Sequence, residues 1–345
     1  MHKKTRIELI DLAKAITIFL VILGHTTGNL DTPLYRRVLY SFHMPLFFFL
    51  AGLSIKPVPI KSWGEWQEFL RKNILALVVP YLIWGLIYAP FSFSRFPKLF
   101  YASWFALTDI GTLTSLWYLP TLFVARILVQ IIISLLYNSK KLLFTCGVMA
   151  VPMFVIGFIL PKIDGGYPWN FDVAFTASAF ILLGISSRQQ VLILAQQTGT
   201  VLFTFFAISV VLFLSGTVLR ADDLDLSLMC ASLYGNIFWF MFNSISGSIV
   251  FMLLPMILNR IAREGIRPFS VSAITYIGRH TLGIFLIHKN LLQELILPFI
   301  RDYISGEFFT AFIGSCIALS ISIIVCMIIE RYVPQLLGQF PVYKD

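Results

Sequence analysis

Ionisable side chains interrupt the first apolar run of the chain, residues 7–27, and their types and spacing could do chemistry. Asp11, Lys14 and His25 lie within this run. On a helix that turns 100° per residue, His25 falls within about 20° of Lys14 and roughly 16 Å further along the axis. Asp11 lies three residues before Lys14, on the same face. One helix therefore presents a carboxylate, an ammonium and an imidazole, and an imidazole can accept a proton near neutral pH.

Two further apolar runs contain histidine. His43 lies in the run Ser-Phe-His-Met-Pro-Leu-Phe-Phe-Phe-Leu-Ala-Gly at 41–52, where Pro45 should bend or break a helix and release a carbonyl. His43 either lines a cavity or caps the broken helix, and the sequence leaves both open. The run 280–300 holds too many polar groups for a helix that faces lipid, so we expect it to face the bundle interior. These groups are His280, His288, Lys289, Asn290, Gln293 and Glu294.

Three basic residues elsewhere allow an ordinary and a functional interpretation. Arg71 and Lys72 precede an apolar run, so they either anchor it at the cytoplasmic surface or bind a phosphate. Arg126 lies within a run. A charge there costs about 2.5–3.5 kcal/mol on insertion scales, so Arg126 requires a buried polar or acidic partner or an anionic ligand.

The elements that must position these residues are membrane-spanning helices. Of the 345 residues, 58% are hydrophobic and only 12% are charged, far from the balance of a soluble domain. Apolar runs long enough to span a bilayer predict about ten helices. Their expected ranges are 7–27, 38–55, 74–94, 116–137, 142–160, 172–187, 199–219, 236–258, 280–300 and 308–329.

Charge predicts how these helices are oriented. Lys and Arg concentrate in the segments that share a side with the N-terminus, which places both termini in the cytoplasm and makes the net charge of +9 a topology signal rather than a sign of nucleic-acid binding. We expect an all-α, polytopic bundle forming one membrane-embedded domain over 1–345, with no soluble domain. The stretch 95–115 could include a re-entrant or interfacial helix. The four cysteines form no C-x-x-C pair and are interpreted as buried thiols without a disulfide or zinc site.

Several sequence blocks resemble the acyltransferase-3 family of membrane O-acyltransferases, and within it the fucose and sialic acid O-acetyltransferase branch. The resemblance begins with the Lys-x10-His spacing of Lys14 and His25 and the run at 41–52. It continues through Pro-Tyr at 80–81, Leu-Trp-Tyr-Leu-Pro at 116–120, Tyr-Pro-Trp-Asn-Phe-Asp at 167–172 and the block at 277–288. The chain departs from the family at Ala51-Gly52, where Ser-Gly is common, and it lacks a second arginine three residues after Arg71.

The resemblance implies transfer of an acetyl or other acyl group from cytoplasmic acetyl-CoA to a hydroxyl of a cell-surface or envelope glycan, without a metal. The acceptor would be a glycan or lipid-linked sugar. The protein would be a multi-pass protein of the bacterial cytoplasmic (inner) membrane, in contact with membrane lipids and with glycan-synthesis machinery. The family's basic-x10-His motif maps onto Lys14 and His25.

From these residues we hypothesise a catalytic path. Arg71 and Lys72 bind the phosphates of CoA, its pantetheine arm passes Lys14, and His25 either deprotonates the acceptor hydroxyl or briefly carries the acetyl group. Asp11 pairs with Lys14 to hold the first helix, or Lys14 steers the anionic donor. The expected substrate-binding residues are His43, Trp117, Tyr118, Arg126, Trp169, Asn170, Asp172 and His288. For the two tryptophans, the ordinary alternative is an interfacial aromatic belt.

Two other function classes stay open. A polysaccharide exporter or transporter would also carry intramembrane charges and proline-broken helices. Against it, the sequence has no two-half symmetry and no paired broken helices. A non-catalytic membrane anchor for a partner complex would leave the charged first helix unexplained.

Overall fold

The computed structural model of the chain describes residues 2–26, 33–89, 95–110, 112–137, 141–224, 226–264, 269–301, 303–304 and 306–340. The regular elements in these ranges are helices, and one isolated antiparallel bridge joins Leu228 with Leu233. In the first half of the chain the α-helices are α1 (His2–Gly24), α2 (Leu34–Tyr40), α3 (His43–Ser54), α4 (Trp63–Asn73), α5 (Val79–Tyr88), α6 (Phe96–Tyr101), α7 (Trp104–Thr108), α8 (Tyr118–Leu136) and α9 (Leu142–Ile159). A π-helical turn, Ile74–Val78, joins α4 to α5, and a 3-10 turn, Thr112–Trp117, leads into α8.

In the second half the α-helices are α10 (Phe171–Ser186), α11 (Arg188–Leu194), α12 (Gly199–Gly216), α13 (Ile237–Glu264), α14 (Phe269–Arg279), α15 (Thr281–Asn290), α16 (Leu297–Ile300) and α17 (Glu307–Tyr332). A π-helical turn, Leu291–Ile296, joins α15 to α16. The 3-10 turns of this half are Pro168–Asn170, Val218–Asp223, Met229–Ala231 and Pro334–Leu337.

These helices form two compact units. Unit 1 comprises Met1–Ser54, Ser187–Met229 and Leu233–Ile323, and unit 2 comprises Ile55–Ser186, Cys230–Ser232 and Ile324–Asp345. In unit 1, α1 packs against α2, α3, α13, α14 and α15, while α12 packs along α13. In unit 2, α10 packs between α9 and α8.

Nine helical segments of the described residues are long and apolar enough to cross a membrane. They are Leu34–Ser54, Trp63–Tyr88, Leu113–Leu136, Leu142–Ile159, Pro168–Ser186, Gly199–Asp222, Ile237–Ile261, Thr281–Ile300 and Glu307–Tyr332. Each overlaps one of the predicted spans. The polytopic helical membrane fold is therefore confirmed.

The remaining predicted span corresponds to α1. This segment is helical, but it is not among the nine segments that length and composition identify as membrane spans. It carries Glu8, Asp11 and Lys14, too many charges for a helix in contact with lipid. Its side chains are instead buried almost continuously from Leu9 to Leu23. Burial against other helices is thus what allows α1 its charges.

The helix break predicted near Pro45 lies a few residues before it. α2 ends at Tyr40 and α3 begins at His43, so Pro45 occupies the first turn of α3, where a missing N–H costs no intrahelical bond. The Ser41 carbonyl, which lies at the break, accepts from the Ser244 hydroxyl of α13 at 2.8 Å. Because the break precedes Pro45, the release of a carbonyl by this proline stays a prediction.

The polar residues of the 280–300 region are not all internal. His288 and Lys289 are buried, but Glu294 is exposed, so its predicted inward orientation is wrong. The π-helical turn Leu291–Ile296 follows directly after α15 and shifts the helical phase of Glu294 relative to His288. At 95–115, the structure has the short helices α6 and α7.

A close helix crossing fixes α1 against α14. A Cβ atom at Gly278 would overlap the backbone carbonyl of Asp11, so the two helices approach to a distance that only glycine permits. We expect Gly278→Ala to destabilise the protein by about 1–3 kcal/mol, since backbone must move to admit the methyl group. Thermal unfolding in detergent measures the change.

Gly64→Ala is the matched control, because nothing lies within 4 Å of a Cβ at that position. Its melting temperature should not fall below that of wild type. Equal melting temperatures for Gly278→Ala and wild type would contradict the close crossing.

Candidate functional site

Two histidines from different helices meet in unit 1. His25 follows the C-terminus of α1, and His288 lies in α15; their ring centroids are 5.4 Å apart. The turn that carries His25 is fixed at both ends of its backbone, because its N–H donates to the Ile22 carbonyl at 3.0 Å and its carbonyl accepts from Gln293 Nε2 at 3.0 Å. Tertiary contacts therefore place the His25 ring beside His288.

The hydrogen bonds of His288 define its tautomer. Nδ1 lies 2.8 Å from the Phe285 carbonyl and 3.1 Å from the Ile284 carbonyl. A carbonyl only accepts, so Nδ1 carries the hydrogen, and in the neutral imidazole Nε2 then has the lone pair. The side chain is fully buried, and Nε2 has no hydrogen-bond partner among the described residues. Since buried polar atoms are normally paired, this lone pair is available to a hydrogen from the neighbouring imidazole or from a substrate hydroxyl.

Two cationic side chains and two imidazoles lie near the His25 ring. His288, Lys289, His43 and Arg36 are all close enough to interact with it electrostatically. Lys289 is only 7% exposed, so its charge acts in a poorly solvated environment. Such a cluster favours negative charge that develops nearby.

The structure places His43 at the helix break, and its lining of a cavity stays a prediction. It is the first residue of α3, its Nδ1 bonds the Leu39 carbonyl of α2 at 2.6 Å, and its buried ring packs edge-on against Tyr40 with centroids 4.9 Å apart. It therefore bridges the helix break, and it belongs to the cluster around His25. The same Tyr40 ring has a second neighbour, because the Arg36 guanidinium lies 5.0 Å from its centroid.

Asp11 has an ion-pair partner that the sequence did not identify. Its Oδ2 lies 3.2 Å from Arg279 Nε, with the carboxylate side chain 9% exposed and the arginine 58% exposed. Lys14 also interacts electrostatically with Asp11, as the shared helix face predicts. Arg279 directly follows Gly278, the residue at which α14 approaches α1 most closely. The Gly-Arg pair in the sequence was the signal that could have identified this partner of Asp11. Asp11 and Lys14 thus belong to the attachment of α1 to α14.

The two expected phosphate ligands, Arg71 and Lys72, lie on the exposed face of α4 in unit 2. Glu68 binds both: its oxygens are 2.9 Å from Arg71 Nε and 3.0 Å from Lys72 Nζ. The arginine and lysine side chains are 50% and 60% exposed. An anion that bound here would have to compete with Glu68 for these cations.

Arg126 has the polar partner that its position within a span requires. Its Nη1 donates to Asn73 Oδ1 at 2.9 Å, and Asn73 Nδ2 donates to the Phe69 carbonyl at 2.7 Å. Tyr118 also interacts with Arg126 electrostatically. Asn73 ends α4, immediately before the π-helical turn Ile74–Val78, and no sequence pattern pointed to it.

The remaining predicted sugar contacts lie in unit 2 and bond mainly to the protein itself. Trp117 and Tyr118 are buried, Trp169 Nε1 donates to the Phe100 carbonyl at 3.0 Å, and Asn170 Oδ1 accepts from the Trp104 backbone N–H at 2.9 Å. The buried Asp172 carboxylate accepts from the Ser232 hydroxyl at 2.5 Å. These bonds give the residues structural roles, and their contact with a sugar stays a prediction.

Comparison with known proteins decides the family. A family model described as an acyltransferase domain matches residues 7–331, nearly the whole chain. The chain belongs to the acyltransferase-3 family. The family prediction made from the Lys-x10-His spacing and the run at 41–52 is confirmed.

One curated relative also matches this acyltransferase-family chain. Nodulation protein NolL of Mesorhizobium japonicum is 26% identical over 208 residues of alignment, and the match covers 50% of the chain and 54% of NolL. The chain therefore spans about half the length of this relative.

The Asp172–Ser232 bond gives a test of structural role. Ser232→Ala should destabilise the protein by about 1–3 kcal/mol, because a buried carboxylate loses its hydrogen-bond donor. The melting temperature in detergent measures the loss. Ser320→Ala removes a hydroxyl that bonds within its own exposed helix and should leave the melting temperature unchanged. A Ser232→Ala protein as stable as this control would show that Asp172 does not depend on Ser232.

Proposed function

We propose that the chain is a membrane O-acyltransferase that transfers an acetyl group from acetyl-CoA to a hydroxyl of a cell-surface or envelope glycan. Membership of the acyltransferase-3 family supports the reaction class. The observation that carries the proposal is the pairing of His25 with His288, which is buried and has an open acceptor nitrogen. We assign the reaction to the His25 side chain.

His25 acts as the general base in this proposal. A ring nitrogen of His25 takes the proton of the acceptor hydroxyl as the hydroxyl oxygen attacks the thioester carbonyl. The new C–O bond forms, the C–S bond breaks, and the imidazolium returns the proton to the departing CoA thiolate. The products are the acetyl ester and CoA with its free thiol.

His288 orients the base. Its Nε2, which has no hydrogen-bond partner among the described residues, accepts a hydrogen from one nitrogen of the His25 ring once that ring turns towards it. This leaves the other nitrogen as the proton acceptor, as the third member of a catalytic triad does for its histidine. The centroid separation of 5.4 Å suits this, since two imidazoles joined by a hydrogen bond of about 3 Å lie at about this spacing.

The cations around His25 stabilise the negative charge that develops on the thioester carbonyl during the reaction. Lys289 and Arg36 interact electrostatically with the His25 ring, so an oxyanion formed from the thioester carbonyl beside that ring would share their field. Lys14 lies on the face of α1 that leads towards His25, where it steers the anionic donor, and Asp11 with Arg279 fixes that helix.

The donor and acceptor contacts are proposals of the same kind. Arg71 and Lys72 bind the CoA phosphates when these displace Glu68 from its two ion pairs; exposed pairs of this type are worth about 0–1 kcal/mol, so a multiply charged phosphate can compete. We place the protein in a bacterial cytoplasmic membrane, acting with glycan-synthesis machinery on a glycan or lipid-linked sugar.

His25→Ala tests the catalytic assignment. The purified variant and the purified wild-type protein are each incubated in detergent with radiolabelled acetyl-CoA and with glycan from the organism that encodes the protein. The variant should transfer acetyl about 10²–10⁴-fold more slowly than wild type, which is the usual contribution of a general base. The readout is radiolabel on the glycan.

The matched control is His280→Gln, because His280, which lies between α14 and α15, stacks on Tyr276 and bonds the Tyr276 carbonyl at the end of α14. It should retain wild-type transfer. Wild-type transfer by a folded His25→Ala protein would remove the base role, and glycan flux across vesicles without acetyl incorporation would favour an exporter.

Two variants of His288 separate its two nitrogens. Asparagine places an N–H near the position of Nδ1 and lacks an atom at Nε2, whereas glutamine reaches the position of Nε2. We expect His288→Asn to reduce kcat about 10–100-fold with KM for acetyl-CoA little changed, and His288→Gln to retain more of kcat, because its amide oxygen can accept the His25 hydrogen. Steady-state kinetics with both variants measure the difference. Equal loss in both, or loss confined to KM, would argue against an orienting role.

A further inference from the structure

A cavity of about 500 Å³ lies in unit 2 between α6, α7 and the loop after α9. It falls within the size range of small-molecule sites, about 300–1,000 Å³. Its lining includes Lys98, Tyr101, Phe105, Thr108, Asp109 and Gly165. The distribution of Lys and Arg predicts that the two connecting segments which form it, 95–110 and 160–167, lie outside the cytoplasm.

The walls combine aromatic faces with one ion pair. Tyr101 and Phe105 are each 37% exposed, so part of each ring is accessible. Lys98 Nζ and Asp109 Oδ2 are 2.7 Å apart, with side chains 44% and 59% exposed. A lysine has three N–H donors and a carboxylate has about four acceptor positions, so the pair can donate to one hydroxyl and accept from its neighbour.

Hydrogen bonds between the two loops build the cavity. The Tyr101 hydroxyl donates to the Gly166 carbonyl at 2.7 Å and the Ser103 hydroxyl to the Gly165 carbonyl at 2.6 Å. The Trp169 and Asn170 side chains bond backbone groups of Phe100 and Trp104. The cavity is therefore held open by bonds that need no ligand.

Backbone strain is concentrated in the same loops. Ala102, Trp169 and Asn170 have φ of 57°, 56° and 48°, in the left-handed region that non-glycine residues rarely occupy. Strained positions persist where surrounding contacts hold them, and they cluster at binding and active sites. Here the bonds between the loops hold all three.

We infer that this cavity binds a sugar ring of the glycan. The apolar C–H face of a pyranose packs on the exposed faces of Tyr101 and Phe105, whose π-systems are negative at the face. Adjacent ring hydroxyls bond Lys98 and Asp109. A neutral sugar suits the pair because both charges are already matched, whereas an isolated phosphate would be repelled by Asp109. The choice of a glycan rests on the proposed function, whose acceptor this sugar would be.

The test measures binding without an acyl donor. Protein in phosphatidylcholine nanodiscs is immobilised and incubated with oligosaccharides released by mild acid from the envelope of the producing strain, and retained hexose is quantified. We expect retention by wild type, with a loss of tenfold or more in Phe105→Ala and in Asp109→Asn. Both side chains are exposed, so folding should be unaffected, as melting temperatures will verify.

Phe100→Ala is the matched control. Phe100 is an exposed aromatic residue of α6, the helix that carries Lys98 and Tyr101. It does not line the cavity, and its contact to Trp169 uses its backbone carbonyl. It should retain oligosaccharide as wild type does. Equal retention by Phe105→Ala and Phe100→Ala, or none by wild type, would overturn the inference.

Three further outcomes separate this inference from a lipid site and from the proposed function. Phospholipid that copurifies with wild type in detergent but not with a Lys98→Met protein would overturn the inference in favour of a lipid headgroup. Oligosaccharide binding at the cavity with no acetyl transfer would support this inference and contradict the proposed function. If the Phe105→Ala protein transferred acetyl as wild type does and wild type retained no oligosaccharide, the proposed function would be supported and this inference contradicted.

Discussion

The charged first helix must be enclosed by other helices, and much of unit 1 follows from that constraint. α1 carries Glu8, Asp11 and Lys14, which lipid would not tolerate at low cost. It is surrounded by α2, α3, α13, α14 and α15, and Gly278 allows α14 to reach its backbone, where Arg279 meets Asp11. Enclosure also determines what the C-terminal end of α1 faces: His25 meets α15 and therefore His288.

The need of buried polar groups for hydrogen-bond partners also explains most of the other residues that the sequence analysis singled out. Arg126 is matched by Asn73, and Asp172 by Ser232. The Ser41 carbonyl, at the break between α2 and α3, is matched by Ser244. Six buried side-chain atoms of the described residues have no hydrogen-bond partner, and His288 Nε2 is the one of them that belongs to an imidazole beside a second histidine. An unpaired buried acceptor costs free energy, and in the proposed reaction a hydrogen of His25 offsets that cost.

Residue type alone did not distinguish functional from structural roles. Trp169 and Asn170 have the chemistry of sugar ligands, yet their side chains bond the backbone of the α6–α7 loop. They shape a cavity that other residues line. Conversely, Arg71 and Lys72 have the chemistry of phosphate ligands, and Glu68 occupies both. In each case the neighbour that defines the role is distant in sequence or lies one helical turn away.

The sequence by itself determined the helical membrane fold, the position of nearly every span, the helical face shared by Asp11 and Lys14, and the family, because composition, apolar run length and helical period are local properties. Only the tertiary structure decided that Arg279 pairs with Asp11, that His288 rather than Glu294 faces inward, and that Asn73 serves Arg126. A π-helical turn changes which face a residue presents, and long-range partners depend on how helices cross. Neither is encoded in the spacing of one segment, since both arise from the packing of segments far apart in the chain.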